Sequence, residues 1–167
     1  LIEAPGGDVD IADGSVRADG SGGRPGATSG GVINVEGGTF NADPGAMIDA
    51  GGGVDGGVIS IDAQGVNTID GATINARGET NEGGDVTLTG DQVNLIGNTV
   101  VDVTGALGGG NANIGGGFQG RVEAIPNATT TVIGSGVRID ANSTIGGDAG
   151  NVVVWADGDT TYAGAIN

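Results

Sequence analysis

The stretch "GGVISIDAQGVNTIDGATINA", residues 56–76, holds three short strand phrases in twenty-one residues. "GVISI" (57–61) and "INA" (74–76) set an apolar residue at every second position, and "VNTI" (66–69) is a weaker strand between them. That is the period of a half-buried strand. The stretches between them are rich in Gly and Asp, the residues that turn corners. Three strands and their corners fit in about one such stretch, so the next question is whether the pattern returns.

It returns along the whole chain. Gly-x-[Val/Ile]-x-[apolar] recurs as "GDVDI" (7–11), "GVINV" (31–35), "GDVTL" (84–88), "GRVEA" (120–124) and "GNVVV" (150–154). The second phrase recurs as "IEA" (2–4), "VRA" (16–18), "IDA" (48–50), "VDV" (101–103) and "IDA" (139–141). A weaker middle strand lies between them: "TFNA" (39–42), "VNLI" (93–96), "TTVI" (130–133) and "TTYA" (160–163). The first repeat lacks it or holds it very short. Starts of the first phrase fall 24 to 36 residues apart, which suits fixed strands joined by turns of varying length.

The reading is an all-β chain: a right-handed parallel β-helix, or β-solenoid, of about six coils with three short strands each. Equivalent strands would stack about 4.8 Å apart. Val9, Ile33, Ile59, Val86, Val122 and Val152 would form one inward file. A β-sandwich would want hairpin signals, and a left-handed hexapeptide helix would want a six-residue beat that is absent. Residues 1–167 read as one segment of a longer repetitive chain, cut inside a repeat at "GAIN". A glycine-rich insertion, "TGALGGGNANIGGGFQ", stands near 104–119.

Composition narrows the function. Of 167 residues, 39 are Gly, only four are Phe, Trp or Tyr, and the core would have to be thin and β-branched. There are 21 acids against five Arg, with no Lys, His or Cys, for a net charge of −16. This disfavours nucleic acid and anionic headgroups as partners. Zinc and copper sites of the ordinary kinds lose their ligands. No apolar run is long enough to insert in a membrane as a helix. Gly with acid can mean disorder, but the Val and Ile positions are too regular for that.

From residue 83 onward the phrases become more particular. "GNVVVWADGDTTYAGAIN" (150–167) is similar to a run near the end of helical blocks in the filamentous haemagglutinin family, exoproteins of Gram-negative bacteria exported by the two-partner pathway. The similarity lies at Gly150, Val152, Val154 to Asp157, Thr160, Thr161, Gly164 and Ile166. It departs at Ala149, where the family has a first Gly. "EAPGGDVDIADG" (3–14) resembles the family's commoner coil phrase. The resemblance implies a secreted, cell-surface protein: the shaft of an adhesin or filament, without catalysis. It implies an outer-membrane transporter as partner during export, further coils or copies stacked end to end, and a host or cell-surface glycan or protein as target. The alternatives are a carbohydrate- or protein-binding module and a β-helical polysaccharide lyase or hydrolase.

Alternation places Val153 and Trp155 outward, with Ile125 beside them. Such a patch wants a cover or a partner. The expected cover is the insertion, with Leu107, Ile114 and Phe118 folding over the outer face. Val153, Trp155, Ile125 and Phe118 are therefore the candidate interaction patch. The acids Asp8, Asp10 and Asp13, and Asp157 with Asp159, read as solvated corners rather than as calcium loops. No cofactor is required, Ca²⁺ being the exception worth testing. Its candidates are Asp102 and Asp140, which stack in the file Arg17, Asp49, Asn75, Asp102, Asp140. Two adjacent carboxylates want a cation, a proton or Arg138. For an enzyme, Arg138 with Asp140 near Asp102, or Arg121 with Glu123, would have to converge on a cleft. "NAT" at 127–129 matches a glycosylation sequon, which is a chance match in a bacterial chain.

Overall fold

The computed structural model describes residues 1–20 and 28–167. Its strands are, in chain order, β1 (Ile2–Ile11), β2 (Ser15–Arg17), β3 (Val32–Ala42), β4 (Met47–Asp49), β5 (Val58–Ala63), β6 (Val66–Asp70), β7 (Thr73–Asn75) and β8 (Asp85–Thr89). They continue as β9 (Gln92–Ile96), β10 (Val100–Asp102), β11 (Asn111–Ile114), β12 (Thr130–Ile133), β13 (Arg138–Asp140), β14 (Asn151–Val154), β15 (Asp159–Tyr162) and β16 (Ala165–Ile166). All their pairings are parallel. The one helical element among the described residues is a 3₁₀ turn at Phe118–Gly120.

The expected right-handed parallel β-helix of about six three-stranded coils is overturned by the sheet arrangement. The strands gather into two sheets, not three files. In one, a nine-strand path runs β14-β11-β8-β5-β3-β6-β9-β12-β15, with β1 also on β3, and forms a nearly closed barrel. The other is a flat six-stranded sheet in the order β16-β13-β10-β7-β4-β2. The reason lies in β3. The sequence reads "GVINV" and "TFNA" as separate strands, but they form one of eleven residues. Its first half pairs with β5 and its last three residues with β6, so first-phrase and middle strands share one sheet.

The core is built from columns of like residues. Ile33, Ile59, Val86, Ala112 and Val152 are successive partners, as are Val35, Ile61, Leu88, Ile114 and Val154. Val16, Ile48, Ile74, Val101, Ile139 and Ile166 make the column of the flat sheet. Ile48, Ile59, Ile61, Ile74, Leu88, Ile114 and Ile139 are fully buried. Self-stacking of Ile and Val suits parallel sheets whose inner faces are dry.

Two members of the expected inward file fall outside it. Val9 pairs with Phe40, so "GDVDI" is the middle strand of the first repeat, and the first phrase is Ile2–Ala4, opposite Val35–Gly37. Val122 lies off the sheets and is exposed, and Ala112 takes its place. The expected insertion at 104–119 is corrected with it. "NANI" within it is strand β11, paired with β8 and β14. The chain leaves the sheets later, between β11 and β12.

One glycine at each corner is a packing requirement. A Cβ on Gly30, Gly56, Gly83 or Gly109 would lie 1.8–1.9 Å from the carbonyl oxygen of Ala50, Ala76, Val103 or Ala141 respectively. No side chain fits there, which explains the double glycines at 30–31, 56–57, 83–84 and 109–110. Ala149 holds the corresponding place before β14.

Candidate functional site

The departure from the sheets makes a distinctive surface. Gly115 (φ +77°) turns the chain out after β11, and Gln119 takes φ +57°, the one non-glycine with positive φ among the described residues. The chain bends again where the Ile125 N–H donates to Val122 O at 2.9 Å. It returns at Ala128, whose N–H bonds Gly115 O at 2.6 Å. The loop lies back against the outer face of β8, β11 and β14.

Trp155 fixes the loop. A Cβ at Gly120 (φ +62°) would sit 2.7 Å from the indole Nε1, and one at Gly116 would sit 2.9 Å from Cδ1. The ring therefore rests on bare backbone. Its Nε1–H donates to Asp157 Oδ1 at 3.0 Å. Asn127 Nδ2 donates to the same carboxylate at 3.1 Å and to Gly120 O at 3.0 Å. The Trp155 carbonyl accepts from the fully buried Thr131 hydroxyl at 2.7 Å.

A groove of about 710 Å³ opens between loop and sheet. Its floor is Asp85, Thr87, Asn111, Asn113 and Asn151, and its wall is Phe118, Val122 and Ile125. Val152 and Val153 close one end with Gly150. Three of the four expected patch residues thus share one groove. Trp155 does not line it but sits behind, under the loop. Phe118 is 66% exposed rather than a cover for its neighbours. The floor escapes the sequence reading because "NANI" is taken there as insertion. The interval of 26 residues from Gly84 to Gly110, matching Gly31 to Gly57, is the signal that finds it.

The file Arg17, Asp49, Asn75, Asp102, Asp140 exists in register. Its side chains do not simply face solvent. Asp49 and Asp140 are buried. Asp49, Asn75 and Asp102 each accept the backbone N–H two residues on, at 3.0, 3.2 and 2.9 Å, which closes the corner as an Asx turn. Asn75 Nδ2 also donates to Asp49 at 2.8 Å. Arg17 pairs with Asp49 at 2.8 Å and closely with Asp19. Hydrogen bonding to Asp19, then the charge of Asp49, holds its guanidinium still more firmly protonated.

Asp102 and Asp140 are direct partners across β10 and β13. Arg138 Nε reaches Asp140 at 3.0 Å, and Asn167 Nδ2 donates to it at 2.8 Å. Asp102 is held by the Thr104 hydroxyl at 2.7 Å. The pair is therefore compensated by protein groups. No group of three acidic side chains placed to hold a metal occurs among the described residues. Arg121 and Glu123, expected on a strand face, stand exposed on the loop. Other acids are tied off singly: Asp8 by Thr39 at 2.6 Å, Asp10 by Asn41 at 2.8 Å, and Asp62 by Thr89 at 2.8 Å.

No protein-family model, curated protein or solved structure matches the chain. The reading of function rests on the residues alone.

Proposed function

We propose that this chain is a non-catalytic structural segment of a secreted bacterial surface protein, exported through an outer-membrane transporter and displayed as part of an adhesin or filament. The observation that carries the reading is the repeat-to-repeat hydrogen bonding. Each repeat's strands bond to the equivalent strands of the next, from β3 through β5, β8 and β11 to β14, and from β2 through β4 to β16. Such a ladder resists extension as a whole, because neighbouring repeats share core columns rather than flexible links. A net charge of −16 keeps the surface soluble and non-adherent except where a particular site is built. The tail phrase "GNVVVWADGDTTYAGAIN" supports the export route by its likeness to two-partner exoproteins.

The test is location. Antibody to residues 83–167, applied to intact cells of the source bacterium and to cells lacking its two-partner transporters, reads surface display. Loss of surface signal in the transporter-deficient cells is the expected result. A chain that stays inside intact wild-type cells overturns the reading.

A further inference from the structure

The geometry points to the groove between the 115–127 loop and the outer face of β8, β11 and β14 as a binding site for a neutral oligosaccharide. The inference does not need the export reading, and each can fail without the other.

The floor decides what kind of ligand fits. Its middle strand, β11, is hydrogen-bonded to β8 on one edge and β14 on the other. Its backbone groups are spent on those neighbours, so a ligand lying on the floor meets side chains, and strand addition is confined to the free edge of β14. What the floor offers is a grid of side chains. Asp85, Asn111 and Asn151 form one file, joined by amide hydrogen bonds of 2.7 and 3.1 Å. Thr87 and Asn113 form the next. Neighbours in a file stand about 4.8 Å apart and the files about 7 Å apart, two residues along the strand. The Asn113 carboxamide and the Thr87 hydroxyl engage no partner among the described residues. The unengaged amide and hydroxyl both donate and accept, and the Asp85 carboxylate keeps further lone pairs to accept with, which is what vicinal hydroxyls need.

The wall supplies the second half. Phe118 presents an exposed ring in a chain with only four aromatic residues. A sugar ring has an apolar C–H face for such a ring and an equatorial belt of hydroxyls for the floor. A fatty ligand would leave the floor unpaired. An anionic glycan or a phosphate would meet Asp85, with no arginine lining the groove. The volume lies within the range of small-ligand sites and admits a short saccharide.

The experiment titrates the folded chain with cellohexaose, chitohexaose and maltohexaose as neutral probes, and with a galacturonate hexamer and a heparin-derived hexamer as acidic ones. Calorimetry reads affinity. Binding of at least one neutral probe at about 1 mM or tighter is expected, with the acidic probes at least about tenfold weaker. Phe118→Ala and Asn113→Ala should each weaken that binding about tenfold or more while the melting temperature holds, since Phe118 is largely exposed. Thr39→Ala, far from the groove, should bind as the parent does. No binding of any neutral probe at about 10 mM overturns the inference. So does equal binding by the acidic probes, or a Phe118→Ala chain that binds like its parent.

Discussion

The side-chain amide of Asn127 donates to the carboxylate of Asp157 at 3.1 Å, across thirty residues of chain. The same amide holds Gly120 O, and the same carboxylate holds the Trp155 indole. One small network therefore fastens the middle of the loop and its C-terminal end to the segment that follows β14. Its weak point is Asn127 Oδ1, which is buried without a partner. Asn127→Ala should destabilise the chain by about 1–2 kcal/mol, the net worth of its bonds less the relief of that oxygen. As the only tryptophan, Trp155 reports the change, and its emission should shift to the red as the loop loosens. Urea melts followed by fluorescence check both. An unshifted spectrum with an unchanged midpoint would show that the loop is held by something else.

The corner glycines make a sharper test of the architecture. Gly83 has an ordinary φ, so alanine there meets no backbone strain of its own. The cost is contact: a Cβ 1.9 Å from Val103 O and 2.6 Å from Gly110 N, both backbone atoms that cannot swing aside. Gly83→Ala should cost about 2–3 kcal/mol through displacement of the next repeat's backbone. Gly146→Ala, with nothing within 4 Å of its Cβ, should cost less than about 0.5 kcal/mol. Equal melts for the two variants would mean that Gly83 does not pack against Val103 and Gly110 as described.

Period-two alternation made the strands legible, and the double glycines marked where first phrases begin. What the alternation could not show was sheet membership. Nothing in "GVINVEGGTFNA" says that Gly37 and Gly38 carry a strand onward rather than turning it, because glycine serves both uses. The loop was misplaced for a similar reason. "GRVEA" fits the strand phrase better than "GNANI" does, yet it is Ala112 that fills the inward place, between Val86 and Val152 in the column. The candidate groove was half legible. Its apolar wall stood out as Phe118 and Ile125, while its polar floor was hidden in residues common to any surface strand. The file of acids was legible in register but not in role, since an Asx turn shows only when the corner is folded.

Acid should loosen one corner in a defined direction. The Asp55 carboxyl sits below its ordinary value of 3.8, chiefly because the Ser29 hydroxyl and then the Asn81 amide bond to its charged form. A depressed folded value contributes stability above the unfolded value, and that contribution is lost as pH falls through the folded one. Asp55→Asn keeps the size and removes the charge. The parent should therefore melt above the variant at pH 7, and the gap should narrow as pH falls below the ordinary value of 3.8 and through the lowered folded one. A gap independent of pH between 7 and 2 would detach Asp55 from the acid transition.

The Asp102–Asp140 pair yields the last test. Two carboxylates face each other across adjacent strands, and Asp140 is buried, so repulsion there is poorly screened. Arg138 answers it at 3.0 Å from a half-exposed position, where an ion pair is worth only about 0–1 kcal/mol taken alone. Removing it also leaves a desolvated acid beside another, so Arg138→Ala should cost about 1–2 kcal/mol, more than an exposed pair would. The added cost belongs to Asp140, and Asp140→Asn should recover most of it in the double variant. Ca²⁺ should leave the parent melt unchanged, because Arg138, Asn167 and Thr104 already occupy the carboxylates. In Arg138→Ala it should raise the melt, as a cation takes the vacated place. Parent stability that climbs with Ca²⁺ would show the ion, not the arginine, to be the natural partner of these acids.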